Sequence, residues 1–205
     1  FKKLCLNKTI KFPQTKETQN MKKDFGKQTW LYPMPVFIIG TYDKDGNADL
    51  MNAAWGGIFN SNQICICVDK SHKTTKNVKE TKAFTVSIAD VENLTACDYV
   101  GIVSANDTPD KIAKSGFHLT KSRFVNAPVV DELKMVLECE MVSYNEETEL
   151  LIGNIINVAA DDSVLTDGKI DPSKFNPITY DSVNHNYIAL GSVAGKAFNA
   201  GKALK

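Results

Sequence analysis

Two short stretches carry residue types that could do chemistry together. The first, "LMNAAWGG" (50–57), sets Asn52, Ala53, Ala54 and Trp55 ahead of two glycines, where a run of strand-like residues ends. Small side chains at a strand end let a flat ligand approach the backbone, whose N–H and C=O groups read its edge while an indole supplies a wall. Alone, this stretch is better explained as a bulge packed against a neighbouring sheet. The second, "KSHKTT" (70–75), offers the Ser71, Thr74 and Thr75 hydroxyls at the start of a short helix, with Lys70 and Lys73 adding positive charge. Free N–H groups and the helix dipole favour an anion such as phosphate there. By itself this stretch is more simply an ordinary Ser/Thr N-cap beside solvated lysines. The pairing shifts the balance: separated by one strand, the two stretches could hold opposite ends of a ring-plus-phosphate cofactor.

The elements that must position them are mostly strands. "PVFIIGTY" (35–42) and "ADLMNAA" (48–54) flank the turn "DKDGN" and read as a hairpin. "QICICV" (63–68) and "KAFTVSI" (82–88) are further strands, with a short capped helix between them from the Ser/Thr-first, Lys/Glu-later order of 69–81. Apolar spacing near 3.6 predicts a helix over 92–103, followed by the turn-rich loop "SANDTPDK" (104–111). "LKMVLECEMVSY" (133–144) and "ELLIGNIINVAA" (149–160) form a second hairpin; a short helix at 171–175 and strands at 178–181 and 186–190 follow. Strands joined by hairpins outnumber helices, which favours an antiparallel barrel with helices on its rim over a parallel α/β sheet. No G-x-G-x-x-G or P-loop pattern supports a Rossmann or NTPase site.

The totals exclude several function classes. The 205 residues suit one domain, read as starting near Met21 after an extension over 1–20. Lys+Arg and Asp+Glu number 24 each, so no global positive field exists for a nucleic acid. Five cysteines without C-x-x-C spacing argue against a disulfide framework or zinc cluster, and Cys65 and Cys67 within "ICICV" read as buried core. Absence of a membrane-length apolar run and of a signal-type h-region predicts a cytoplasmic protein. The three histidines (His72, His118, His185) show no catalytic spacing; His118 and His185 read as loop or surface residues.

From about Met21 onward the chain resembles the flavin reductase-like proteins of the FMN-binding split-barrel class, and their flavoredoxin branch in particular. The matching pieces run in order through nearly the whole domain: "YPMPVFIIGTYDKDGNADLMNAAWGG", "KSHKT", "AFTVSI", "DYVGIVS" with "DK" after it, "VLECE" and "GSVAGKAF". The resemblance implies a mainly β, six-stranded antiparallel split barrel with flanking helices, a homodimer, and non-covalent FMN near the subunit boundary. By position, Asn52, Ala53, Ala54 and Trp55 would line the isoalloxazine, Ser71 and Thr74 would take the phosphate beside Lys70, and Ser104 and Lys111 would close over phosphate or ring. The chain departs from the family pattern with Asn52 where Thr or Ser is common, His72 where Arg is frequent, and Ala105 where Gly is common.

A bound flavin performs redox chemistry itself, so no acid–base side chain is required. The expected function is a flavoprotein that oxidises NAD(P)H and reduces free flavin or a small electron carrier. A non-catalytic FMN- or haem-binding module is the alternative. Pyridoxamine-phosphate oxidase-like chemistry needs a basic pocket for a second phosphate, and Arg123 is the only arginine.

Overall fold

A computed structural model describes residues 22–204; the extension predicted over 1–20 lies outside the described residues. Asp43 shapes the first turn, its carboxylate accepting from the Asp45 and Asn47 N–H groups at 3.0 and 2.8 Å. Gly46 supplies the positive φ of 83° that closes the loop. β1 (Phe37–Tyr42) and β2 (Ala48–Ala53) accordingly pair antiparallel, Phe37 opposite Ala53 and Tyr42 opposite Ala48.

Two residues beyond β2 the chain begins β3 (Gly56–Ile58), which pairs with β4 (Gln63–Cys67) and not with β2. α1 (Lys73–Thr81) and β5 (Ala83–Ile88) follow, then α2 (Leu94–Ile102), α3 (Lys111–Ser115) and the small hairpin β6 (Leu119–Lys121) and β7 (Pro128–Val130). β8 (Met135–Asn145) and β9 (Leu150–Ala160) form the long second hairpin. The main sheet runs β2-β1-β5-β8-β9-β4-β3, with every neighbouring pair antiparallel.

This order dictates the shape. Laid flat, seven strands would hold β2 and β3 ~29 Å apart, whereas the three peptide steps from Ala53 to Gly56 reach only ~11 Å. The sheet therefore curls until its two edges meet at Ala54 and Trp55, and the barrel is split along that seam. Register shifts at Glu138/Cys139 and Met141/Ser143 bend β8 around the curve. The six strands expected become seven because Gly56 to Ile58, read as part of the bend, pairs as a strand of its own.

Alternate residues of β1 serve two cores. Phe37 and Ile39 point into the barrel with Ile64, Ile66, Phe84 and Leu137, while Ile38 packs outward with Leu50, Val100 and Phe117 beneath α2. Such two-sided burial explains why "FII" shows no polar alternation. Inward-facing Ile64 and Ile66 also correct the reading of the neighbouring cysteines: Cys65 is half-buried and Cys67 exposed. Among the described residues the buried thiols are Cys97 and Cys139, both pushed up to about 12 by burial first of all.

The C-terminal part places α4 (Pro172–Phe175), capped by Asp171, after the two-residue strands β10 (Leu165–Thr166) and β11 (Lys169–Ile170). β12 (Ile178–Asp181) and β13 (Asn186–Ala189) then pair so that Tyr180 stands opposite Tyr187. The Tyr180 N–H donates to the Met34 carbonyl at 2.9 Å, which pins this hairpin beside β1. The tail "GSVAGKAF" does not finish the barrel, since Val193 and Phe198 are exposed. No helix among the described residues is long and apolar enough to cross a membrane.

Candidate functional site

The seam at Trp55 opens into a cavity of about 470 Å³. Met51 to Trp55 form its floor, Gly101 and Ile102 of α2 one side, and Trp55, Tyr180 and Tyr187 the other. Ring centroids lie 6.3 Å apart for Trp55 and Tyr180, and 6.1 Å for Tyr180 and Tyr187, giving a tilted aromatic wall. Gly101 is what lets α2 approach: a Cβ there would sit 2.8 Å from the Asn52 Cβ.

Hydrogen bonds hold this wall in place. Tyr187 donates its hydroxyl to Asp98 at 2.8 Å, while the Asn52 amide donates to the Cys97 carbonyl at 3.1 Å and reaches the Tyr187 oxygen at 3.4 Å. Burial, and then Asp98, push the Tyr187 hydroxyl well above its ordinary value, so it remains a donor. Tyr180 shares a 2.7 Å hydrogen bond with His185 Nδ1 at the rim.

A second, inner cavity of about 180 Å³ continues from the first; Asn52, His72 and Gly101 line both. Thr74, Ser104 and Lys111 meet in it, brought from α1, the loop after α2 and the first position of α3. Behind them lies Asp49. Its Oδ2 accepts the Thr74 hydroxyl at 2.5 Å, and its Oδ1 stands 3.7 Å from Lys111 Nζ. Asp49 is 2 % exposed and Lys111 3 %, so this is a buried ion pair. The pair is loose: Oδ1 has no hydrogen-bond partner, and the ammonium keeps donors for a group entering the cavity. Burial pulls the Lys111 pKa down while Asp49 pulls it back up.

Lys70 and Ser71 fall elsewhere. They line an outer groove of about 420 Å³ with Lys73, Lys76 and Asn106, joined to the cavities through His72. Ser71 is also not the helix cap expected from sequence. His72 occupies the N-cap without a side-chain bond, and the Ser71 hydroxyl instead donates to Asp69 at 2.6 Å. The reason is local: Asp69 two residues earlier captures both the Ser71 N–H and O–H in a tight turn. α1 thus starts uncapped toward the cavities.

The structure brings Asn52, Ala53, Ala54 and Trp55 together around the larger cavity and Thr74, Ser104 and Lys111 around the inner one, and it leaves Lys70 and Ser71 outside both. Sequence reasoning missed Asp49 and Asp98, which lie on β2 and α2 beside the site, and Tyr180 and Tyr187, which a distant hairpin brings to it. It assigned His185 to the surface, and that residue is exposed but at the cavity rim. Gly101 did leave a signal, as a glycine inside a helical pattern. His118 is a surface residue, 2.6 Å from Glu132.

Residues 29–182 match the model of the Flavin reductase like domain, and the chain belongs to that family. Among solved structures it is similar to the flavoredoxin of Desulfovibrio vulgaris (Miyazaki F), at 38% identity over 88% of this chain and all of that one, with a TM-score of 0.84. The flavoredoxin from Methanosarcina acetivorans is similar at 28% identity, with 90% and 100% covered and a TM-score of 0.82. An uncharacterized Escherichia coli (strain K12) protein, YddH, shares 28% identity, covering 70% of this chain and 80% of its own length.

Proposed function

We propose that this chain binds FMN non-covalently and serves as a flavin-dependent oxidoreductase, taking electrons from NAD(P)H and delivering them to free flavin or a small carrier. The observation that carries the reading is the continuity of an aromatic, small-residue cavity with an inner cavity holding a buried lysine, Asn52, His72 and Gly101 being common to both. The larger cavity lies in the ~300–1,000 Å³ range of small-molecule sites. The chain's likeness to two flavoredoxins supports a flavin ligand.

Asn52 to Trp55 present backbone and indole to the ring; the Tyr187 and Asp98 pair fixes the Asn52 amide. Thr74, Ser104 and Lys111 take the phosphate, with Lys73 adding charge. FMN, when bound, would supply the redox chemistry. The protein binds, orients and shields the ring. We further propose a homodimer, because an apolar hollow of about 500 Å³ behind Trp55, lined by Trp30, Leu31 and Leu150, holds no charged group and suits a second copy. Sedimentation at micromolar concentration tests this, and a monomer there would contradict it. Four free cysteines among the described residues fit a reducing compartment such as the cytoplasm.

The flavin reading is tested by adding FMN to purified protein, removing unbound flavin, and then adding NADPH or NADH without air. Retained visible flavin bands that bleach with the nucleotide are expected. Bands that persist unbleached select a binding module over a reductase; protein that retains no flavin contradicts the reading altogether.

A further inference from the structure

We propose that the outer groove binds the phosphate-bearing end of the nicotinamide dinucleotide, giving the site a preference for NADPH over NADH. The inference rests on the FMN reading above, which fills the inner cavity and draws on this groove only through Lys73 at their shared edge. Two cavities accept the ring and phosphate of one flavin; the third, of about 420 Å³, is a separate concave space.

Its lining is mostly basic, with Lys70, Lys73, Lys76 and Lys79 against the single carboxylate of Glu80. Lys70, Lys73 and Lys76 stand three residues apart, the last two one turn apart on α1 with ~4.5 Å of rise between them. Lys73 is 3.8 Å from Asp43, but no carboxylate among the described residues lies within bridging distance of the Lys70 or Lys76 ammonium groups. In a chain whose basic and acidic residues balance at 24 each, an excess of cations over carboxylates in one groove is a local choice. Asn106, from the loop after α2, adds a neutral amide that donates to the Ser71 carbonyl at 3.4 Å and ties the two walls together.

Position selects the ligand class. His72 lines the groove, the inner cavity and the ring cavity, so a molecule whose flat end lies against the flavin can run past His72 and set its anionic end among the lysines. A dinucleotide has that layout: a nicotinamide at one end, then a pyrophosphate, and in NADPH a further phosphate on the adenosine ribose. The groove is concave, which favours a small polyanion over a protein surface. Lys70 and Lys76 match the extra phosphate as point charges, with Lys73 standing between them and the flavin phosphate, an arrangement that tolerates the absence of arginine here.

The test uses the FMN-loaded protein, with NADP⁺ and NAD⁺ as non-reacting probes by calorimetry, and steady-state oxidation of NADPH and NADH. NADP⁺ is expected to bind more tightly than NAD⁺, and more weakly as salt rises. Lys76→Glu, with Lys70→Glu as an independent second variant, should weaken NADP⁺ and raise the NADPH KM about tenfold while kcat changes less than about twofold. FMN affinity should hold in Lys76→Glu. Loss of FMN from that variant overturns the proposal, because the groove would then serve the flavin phosphate. Unchanged nucleotide binding overturns it as well; if the variants instead slow electron delivery to an acidic carrier such as a plant-type ferredoxin, the groove docks a protein. A wild-type protein that retains FMN but binds neither nucleotide refutes this inference and leaves flavin binding standing.

Discussion

Replacing Asp49 by Asn should be among the most damaging single-atom changes in the protein. The side chain keeps its shape, and its amide oxygen can still accept from Thr74, so the effect isolates charge. At 3.7 Å from Lys111 Nζ, and with an effective dielectric of ~20, the lost attraction is about 4.5 kcal/mol. Removing one member of a buried pair typically costs ~3–5 kcal/mol, because the other charge is left unanswered. Urea unfolding should therefore show a loss of about 3–5 kcal/mol. The sign of the pH dependence follows from Lys111, whose folded pKa lies below the ordinary 10.5 because of burial. The unfolded chain then binds more protons between the folded value and 10.5, so this group's contribution becomes less unfavourable as pH rises through that window. Asp49→Asn removes the partner that holds the pKa up, and the alkaline gain should begin at lower pH than in the parent. Adding Lys111→Met to Asp49→Asn removes the orphaned charge and should recover at least ~2 kcal/mol relative to additive losses. A single-variant loss below ~1 kcal/mol, or additivity within ~0.5 kcal/mol, would refute the buried-pair account.

Gly101→Ala places a methyl 2.8 Å from the Asn52 Cβ; despite the better helix propensity of Ala, thermal melts should show a net loss of ~1–3 kcal/mol from overpacking, with weaker FMN binding by fluorescence titration. Asp181 is held ionised far below its ordinary 3.8, chiefly by the Tyr32 hydroxyl and then by the Asn184 side chain. Its stabilisation is present above pH ~3.8 and is lost as pH falls below that, so melting temperatures of Asp181→Asn should change less than those of the parent on acidification. His118 titrates above 6.5 because Glu132 hydrogen-bonds to it and attracts its charge; NMR of Glu132→Gln should show the value fall back, and no change would contradict the pairing.

The strands were legible because their signals are local. β1 and β2 announce themselves by β-branched residues around "DKDGN", and β8 and β9 by length and a short acidic turn. β6 and β7 were not found, because three-residue strands, one ending before Ser122 and the other beginning on Pro128, carry no period to read. Half of the site was visible for the same reason: Asn52 to Trp55 lie consecutively, and Thr74 follows one strand later. Asp49 stood unremarked inside the strand "ADLMNAA", and only its burial beneath Thr74 and Lys111 reveals a charge partner. Tyr180 and Tyr187 come from a hairpin more than 120 residues away from Trp55, and the curl that brings them to the seam is a property of strand order, which no local pattern encodes. Cys67 shows the converse failure: an unbroken apolar run hid the alternation that puts it on the open face.

Trp55 and Lys111 sit at opposite ends of the joined cavities, and comparing FMN with riboflavin on the parent and Lys111→Met probes both ends at once. Quenching of tryptophan fluorescence should report both flavins binding to the parent, FMN the tighter by about tenfold or more, and Lys111→Met should narrow that difference while leaving riboflavin unchanged. Equal affinity for the two flavins in the parent, or no quenching by either, would contradict the account.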